Sequence, residues 1–174
     1  AGIIQRLQQR DEAAFSELVL QWKDNIYNTA LGIVQQEEDA ADITQDVFLS
    51  AWRSILEFRG ESGIGTWLYR ITVNRCRDHL RKRERLKRFA WIRSFRGSDG
   101  QLETDTPDFI HPGVQLEKKQ EAAILFAAIR KLPAQQRIAY SLQKVEGLAI
   151  IDITAILEIS EGAVESLLQR AKTN

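Results

Sequence analysis

The apolar residues of this chain recur at three- and four-residue steps along almost its whole length, and no stretch alternates with a period of two. A helix buries a stripe that returns about every 3.6 residues, whereas a half-buried strand buries every second residue, so the pattern dictates an all-α fold without strands. The longest stripe starts behind Asp11, which can cap a helix and, with Glu12, puts carboxylates in its first turn. Phe15, Leu18, Val19, Trp22, Ile26, Ala30, Ile33 and Val34 then follow in phase, ending near Gln35 and Gln36. A second helix from about Glu37 sets Ile43, Val47, Ala51 and Ile55, with Phe48 and Trp52 beside them, opposite Asp39, Asp42 and Asp46. After a Phe58–Gly65 loop, a third helix from near Thr66 turns Leu68, Ile71 and Leu80 inward, and a short one on Ile3, Ile4 and Leu7 precedes them all.

The pattern breaks once. Residues 97–113 hold three of the ten glycines, two of the three prolines, and four acids without a base, the composition of a flexible acidic linker. With 174 residues and 44% hydrophobic content the chain can bury one ordinary core or two small ones. The break and the charge asymmetry favour two small helical domains, 1–96 and 114–174. Residues 1–96 carry 16 basic and 13 acidic side chains, while residues 97–174 carry 8 and 11. In the second part, Val114 to Leu132 is helical on Leu116, Ala123, Ile124, Ala127, Ala128 and Ile129, and Pro133 closes it and opens the next helix, which Gly147 ends. A short apolar helix from Ala149 to Leu157, a turn through Glu158, Ile159 and Ser160, and a last helix from Glu161 make the outline of a helix-turn-helix, locked by Ile153, Leu157, Ile159, Val164 and Leu168.

Between Tyr69 and Arg96 eleven basic residues face only Asp78 and Glu84 in a chain of zero net charge. Such a field attracts polyanions. A charge run alone can be a solvated face, but this one starts behind Trp67, Tyr69 and Asn74, and aromatic groups beside phosphate-binding groups are what single-stranded nucleic acid requires. Trp67 is the one of these expected in the core. The last helix is less suited to duplex DNA, with Glu161 and Glu165 at its start and positive charge only at Arg170 and Lys172.

Other chemistries find little support. Asp39, Asp42 and Asp46 share a helical face, but no histidine accompanies them at ligand spacing, and His79 and His111 are isolated, so no metal or cofactor is expected. There is no Ser-His-Asp set, phosphate loop or catalytic carboxylate pair, which points to a binding protein, not an enzyme, with no small-molecule substrate. One cysteine, Cys76, forbids an internal disulfide and reads as a small packing residue, and the absence of a long apolar run predicts a cytoplasmic protein without membrane insertion.

The segment from Asp42 to Arg83, followed by an acidic linker and then Leu132 to Lys172, resembles the extracytoplasmic-function (ECF) group of bacterial sigma factors. The motifs that carry this are Gln45-Asp46-Val47-Phe48 with Trp52, Phe58-Arg59, Thr66 to Ile71, Val73-Asn74, Leu132-Pro133 and Glu146-Gly147-Leu148. The resemblance implies a first domain that docks on RNA polymerase and melts the minus-ten promoter element, and a second that reads the minus-thirty-five element. By motif position, Asp42, Gln45, Asp46 and Phe48 would bind polymerase. Tyr69, Asn74, Arg75, Arg77, Arg81 and Lys82 would meet the melted strand and its phosphates. Ser160, Glu161, Ala163, Glu165, Ser166 and Arg170 would meet the minus-thirty-five duplex. The implied partners are core RNA polymerase, promoter DNA and an anti-sigma factor.

The last helix departs from the family pattern: where many members read Gly-Thr-Val-Lys-Ser-Arg, this chain has Gly162-Ala163-Val164-Glu165-Ser166-Leu167, and Glu158 stands where a glycine is expected. Two other readings of the residues are a stand-alone helix-turn-helix regulator and an interaction protein whose basic tract meets an acidic partner.

Overall fold

A computed structural model describes residues 2–94 and 116–174. All its regular elements are helical: α1 (Ile3–Gln8), α2 (Glu12–Val34), α3 (Glu37–Ser54) with a 3-10 turn at Ile55–Glu57, α4 (Ile64–Ser94), α5 (Leu116–Arg130), α6 (Ala134–Lys144), α7 (Ile150–Leu157) and α8 (Glu161–Thr173). No strand occurs among the described residues. The segment 97–113, expected to be a linker, lies outside them.

The ends of the helices follow from local chemistry. Asp11 caps α2, its Oδ1 accepting from the Ala13 and Ala14 amides at 2.9 and 3.2 Å. Arg6 binds the other oxygen at 2.8 Å and, with those amides, holds the carboxyl below its usual range. Pro133 is the N-cap residue of α6. Gly147 adopts φ +67°, the left-handed conformation that glycine takes without steric cost, and this turn ends α6 and aims the neighbouring Glu146. α4 starts at Ile64, two residues before the expected Thr66, where Gly65 meets the Trp22 ring; a β-carbon there would collide with Trp22.

α2 is the central element. It packs against α3 and α4 on one side and α5 and α6 on the other. Its residues Thr29, Ala30, Leu31, Gly32, Ile33 and Val34 are buried without interruption, which a helix with one solvent face cannot achieve. The last turns of α2 therefore lie between the two parts of the chain. Their buried residues form one continuous cluster, from Leu18, Ile26 and Leu68 to Ile138, Leu142 and Ile153. The seam between the parts is close-fitting: a β-carbon on Gly32 would come within 2.8 Å of Ser141 Oγ on α6.

Candidate nucleic-acid interface

α4 is amphipathic by position. Tyr69, Val73 and Cys76 are buried, and Leu80, in the same phase, packs on the core. Burial pushes the Cys76 thiol up to about 12, so this residue is an inert packing group, as expected. On the opposite face Asn74, Asp78, Arg81 and Arg85 recur at three- and four-residue steps, all exposed, with Arg75 and Lys82 exposed beside them. The charges on this face are only loosely held. Arg81 pairs with Asp78, Arg75 donates to Ser50 Oγ at 2.7 Å, and Arg88 lies 4.0 Å from Glu84. Exposed pairs of this kind cost little to exchange for a phosphate. Trp67 leans on Phe58 at 5.0 Å between ring centroids and packs on the core, as expected of a structural residue.

Tyr69 and Arg77 depart from that open face. Tyr69 is 4% exposed, with its ring edge-on to Trp22 at 5.9 Å. Its hydroxyl donates to Glu146 Oε2 at 2.9 Å, and Asn25 Nδ2 donates to the same oxygen at 2.8 Å. Burial raises both groups, the Tyr69 hydroxyl and the Glu146 carboxyl; for Glu146 the hydrogen bonds from Asn25, Tyr69 and Thr29 work against the rise. Arg77, half-buried, donates to Gln135 Oε1 on α6 at 3.3 Å. Tyr69, expected on the strand-facing surface, lies in the seam instead, because Tyr69, Val73, Cys76 and Leu80 form one apolar stripe. That spacing is visible in the sequence and marks Tyr69 as a seam residue.

On α3, Asp42, Gln45 and Asp46 are exposed along one side. Phe48, expected with them, is 5% exposed and packs in the core, because α3 is wedged between α2 and α4 and buries a wide arc. Asp39 turns toward α4, where its Oδ2 lies 3.0 Å from His79 Nε2. Among the described residues no group of three or more His, Cys, Asp or Glu is placed to hold a metal ion.

The helix-turn-helix forms as expected. Ser160 Oγ accepts from the Ala163 amide at 3.2 Å, and Val164, Leu168 and Ala171 face inward. Glu161, Glu165, Ser166 and Arg170 are exposed, and Ala163 is half-buried. Glu158 carries the turn at φ +56°, a left-handed position that costs a residue with a β-carbon about 1 kcal/mol and explains the expected glycine.

Residues 18–86 match the family model for Sigma-70 region 2, and residues 115–174 that for Sigma-70, region 4. The RNA polymerase sigma-H factor of Pseudomonas aeruginosa is 30% identical over 180 residues, covering 98% of this chain and 88% of that protein. The ECF RNA polymerase sigma-E factor of Haemophilus influenzae is 32% identical, with 98% and 90% covered. Two solved structures share the fold: CnrH in complex with the cytosolic domain of CnrY (23% identity, TM-score 0.68, 98% and 90% covered), and RpoE from Bartonella quintana in complex with the anti-sigma factor NepR (24%, TM-score 0.70, 91% and 92% covered).

Proposed function

Because the chain belongs to the sigma-70 family of RNA polymerase sigma factors, in its ECF group, we propose that its two parts are domains that divide promoter recognition between them. As an alternative sigma factor it binds core RNA polymerase and directs promoter-specific transcription initiation; it is an initiation factor, not an enzyme. In the division we propose, residues 1–96 dock on polymerase and handle the minus-ten element, and residues 114–174 read the minus-thirty-five element.

The observation that carries this reading is the outer face of α4, where Asn74 stands at the head of exposed Arg75, Arg81 and Lys82. The cations supply the sequence-independent attraction to phosphate, and the amide offers a donor and an acceptor to one unpaired base. Asp42, Gln45 and Asp46 on α3 form the docking face for polymerase, and Phe48 supports them from below. On α8 the exposed side chains run from Glu161 to Arg170, with Ser160 and the helix N-terminus positioned to hold one phosphate.

An anti-sigma factor is the further partner we propose, since RpoE from Bartonella quintana was captured with one. No helix among the described residues is long and apolar enough to cross a membrane, and the cytoplasm, where polymerase works, is the expected compartment. The docking assignment is tested by a pull-down with purified core polymerase. Asp46→Lys is expected to weaken retention about tenfold or more while circular dichroism stays helical, because reversing a charge at a complementary interface brings like charges together. Unchanged retention would move the docking face elsewhere.

A further inference from the structure

α4 runs on past the body of the protein. Its last apolar residue packed on the core is Leu80, and every residue from Glu84 to Arg93 is exposed, about 15 Å of helix at its usual rise. Within that stretch Leu86, Phe89 and Ile92 are 59%, 64% and 57% exposed. Single apolar side chains in water need no explanation, but three on successive turns of one helix make a patch, and a patch marks a surface that meets a partner.

Their placement on the helix says what that partner is made of. Lys82, Leu86, Phe89 and Arg93 follow one another at steps of four, three and four residues, and Arg85, Phe89 and Ile92 at steps of four and three. The two rows share Phe89 and form one side of the helix, on which cations and apolar groups are interleaved. From Arg81 to Arg93 seven cations stand against Glu84 alone. A second copy of the chain laid on this side would bring two such sets of cations together. A nucleic-acid backbone satisfies the cations but leaves the aliphatic Leu86 and Ile92 in water. A bilayer containing anionic lipids satisfies both: its headgroups take the charges, and its acyl boundary takes Leu86, Phe89 and Ile92. The long stems of Lys82, Arg85 and Arg93 lie along apolar surface while their charged ends reach back to the headgroups.

We propose that the last turns of α4 are a docking site for an anionic membrane surface, with Leu86, Phe89 and Ile92 entering the boundary between headgroups and acyl chains and Lys82, Arg85 and Arg93 holding phosphate headgroups around them. The helix lies on the surface and does not cross it, since none of the helices among the described residues is long and apolar enough to span a bilayer. Docking needs both kinds of group. Three apolar side chains alone anchor a protein only marginally, and cations alone give an attraction that salt screens, so the two act as the paired signals that reversible membrane binding requires.

The experiment floats the full chain with vesicles of phosphatidylcholine alone and of phosphatidylcholine mixed equally with phosphatidylglycerol. Recovery with the anionic vesicles about tenfold or more above the neutral ones is expected at low salt, and it should fall as salt is raised. The triple variant Leu86→Gln, Phe89→Gln, Ile92→Gln keeps every charge and uses a residue that favours the helix; it is expected to lose about tenfold in partition onto anionic vesicles. Arg85→Gln combined with Arg93→Gln should lose a comparable amount. Equal recovery with both kinds of vesicle would overturn the proposal. Unchanged partition of the triple variant would overturn it too, because the attraction would then be one of charge alone. Two further readouts identify other occupants. Anisotropy with a labelled single-stranded oligonucleotide should give the triple variant the affinity of the parent chain; a loss there as large as the loss on vesicles would assign the apolar side to nucleic acid and end the proposal. Sedimentation velocity should show no self-association that the triple variant removes, and finding one would assign that side to a second copy instead. Should circular dichroism show that the triple variant has lost helix, Phe89→Gln, the position common to both rows, is read in its place.

Discussion

In the proposed division of promoter recognition α4 and α8 are the two helices offered to nucleic acid, and their charges obey different rules. On α8 the acid Glu161 occupies the first turn and the bases Arg170 and Lys172 the last, the arrangement that complements a helix dipole and stabilises the helix itself. On α4 cations run from Arg70 to Arg93 with no such polarity, and their mutual repulsion is tolerated without any gain to the helix. The difference teaches that the charge of α8 follows from its own folding, while the charge of α4 does not and is what the proposed contact with a polyanion would use. The two helices also differ in access. The seam buries Tyr69 at the start of α4, whereas Glu161, Glu165, Ser166 and Arg170 on α8 are exposed.

The largest effect expected from breaking this contrast comes from α4. Replacing Arg81 and Lys82 together by alanine is predicted to weaken binding of every single-stranded sequence by about tenfold or more at low salt, and to flatten the log–log salt dependence by about 0.7 for each phosphate no longer neutralised. Anisotropy titrations across a salt series measure both. A smaller and different effect belongs to Asn74→Ala, which should leave the salt slope alone and reduce discrimination between bases at one position by ~1–3 kcal/mol, read by competition among oligonucleotides that differ there.

On α8 the change runs the other way. Glu165→Lys removes a repulsion and is expected to raise affinity for duplex DNA a few-fold, about 1 kcal/mol or less, across all sequences alike. The same fold-increase for promoter and scrambled duplexes, with the ratio between them unchanged, is the result to look for in a gel shift.

The smallest effect concerns the seam between the two parts, with the form shown here called closed and a separated form open. Burial raises Glu146, and the groups whose hydrogen bonds act on it, Asn25, Tyr69 and Thr29, carry no charge at neutral pH. A carboxyl raised in the closed form and ordinary in the open form binds its proton more tightly when closed. Closure is then strongest below the ordinary glutamate range and weakens as pH rises through the raised value. Scattering at mildly acidic and at neutral pH should show the more contracted particle in acid, and Glu146→Gln should abolish the difference.

Much of this was legible in the sequence because it is local. The phase of the α2 stripe, the Asp11 and Ser160 caps, the Gly147 stop and the outward position of Asn74, Arg81 and Lys82 each follow from residues within a few turns of one another. What escaped depends on distant partners. Glu146 meets Tyr69 across 77 residues and Asn25 across 121, and no periodicity records such a pairing. Gly32 gave no sign of a helix crossing, since its meaning lies in Ser141. Tyr69 misleads for another reason: an aromatic residue beside a basic tract resembles a stacking group, and its own stripe with Val73, Cys76 and Leu80 outweighs that resemblance. Phe48 fell to the width of the buried arc on α3, which depends on α2 and α4 flanking it.

The claim that α4 dominates promoter recognition while α8 adds position and modest sequence preference is tested most directly by run-off transcription with purified core polymerase and a promoter that the parent chain uses. The account predicts a promoter-dependent transcript with the parent chain, a severe loss with Arg81 and Lys82 replaced by alanine, and a largely preserved transcript with Glu165→Lys. A transcript abolished by Glu165→Lys and indifferent to the α4 substitutions would contradict it and make the acidic helix the principal reader.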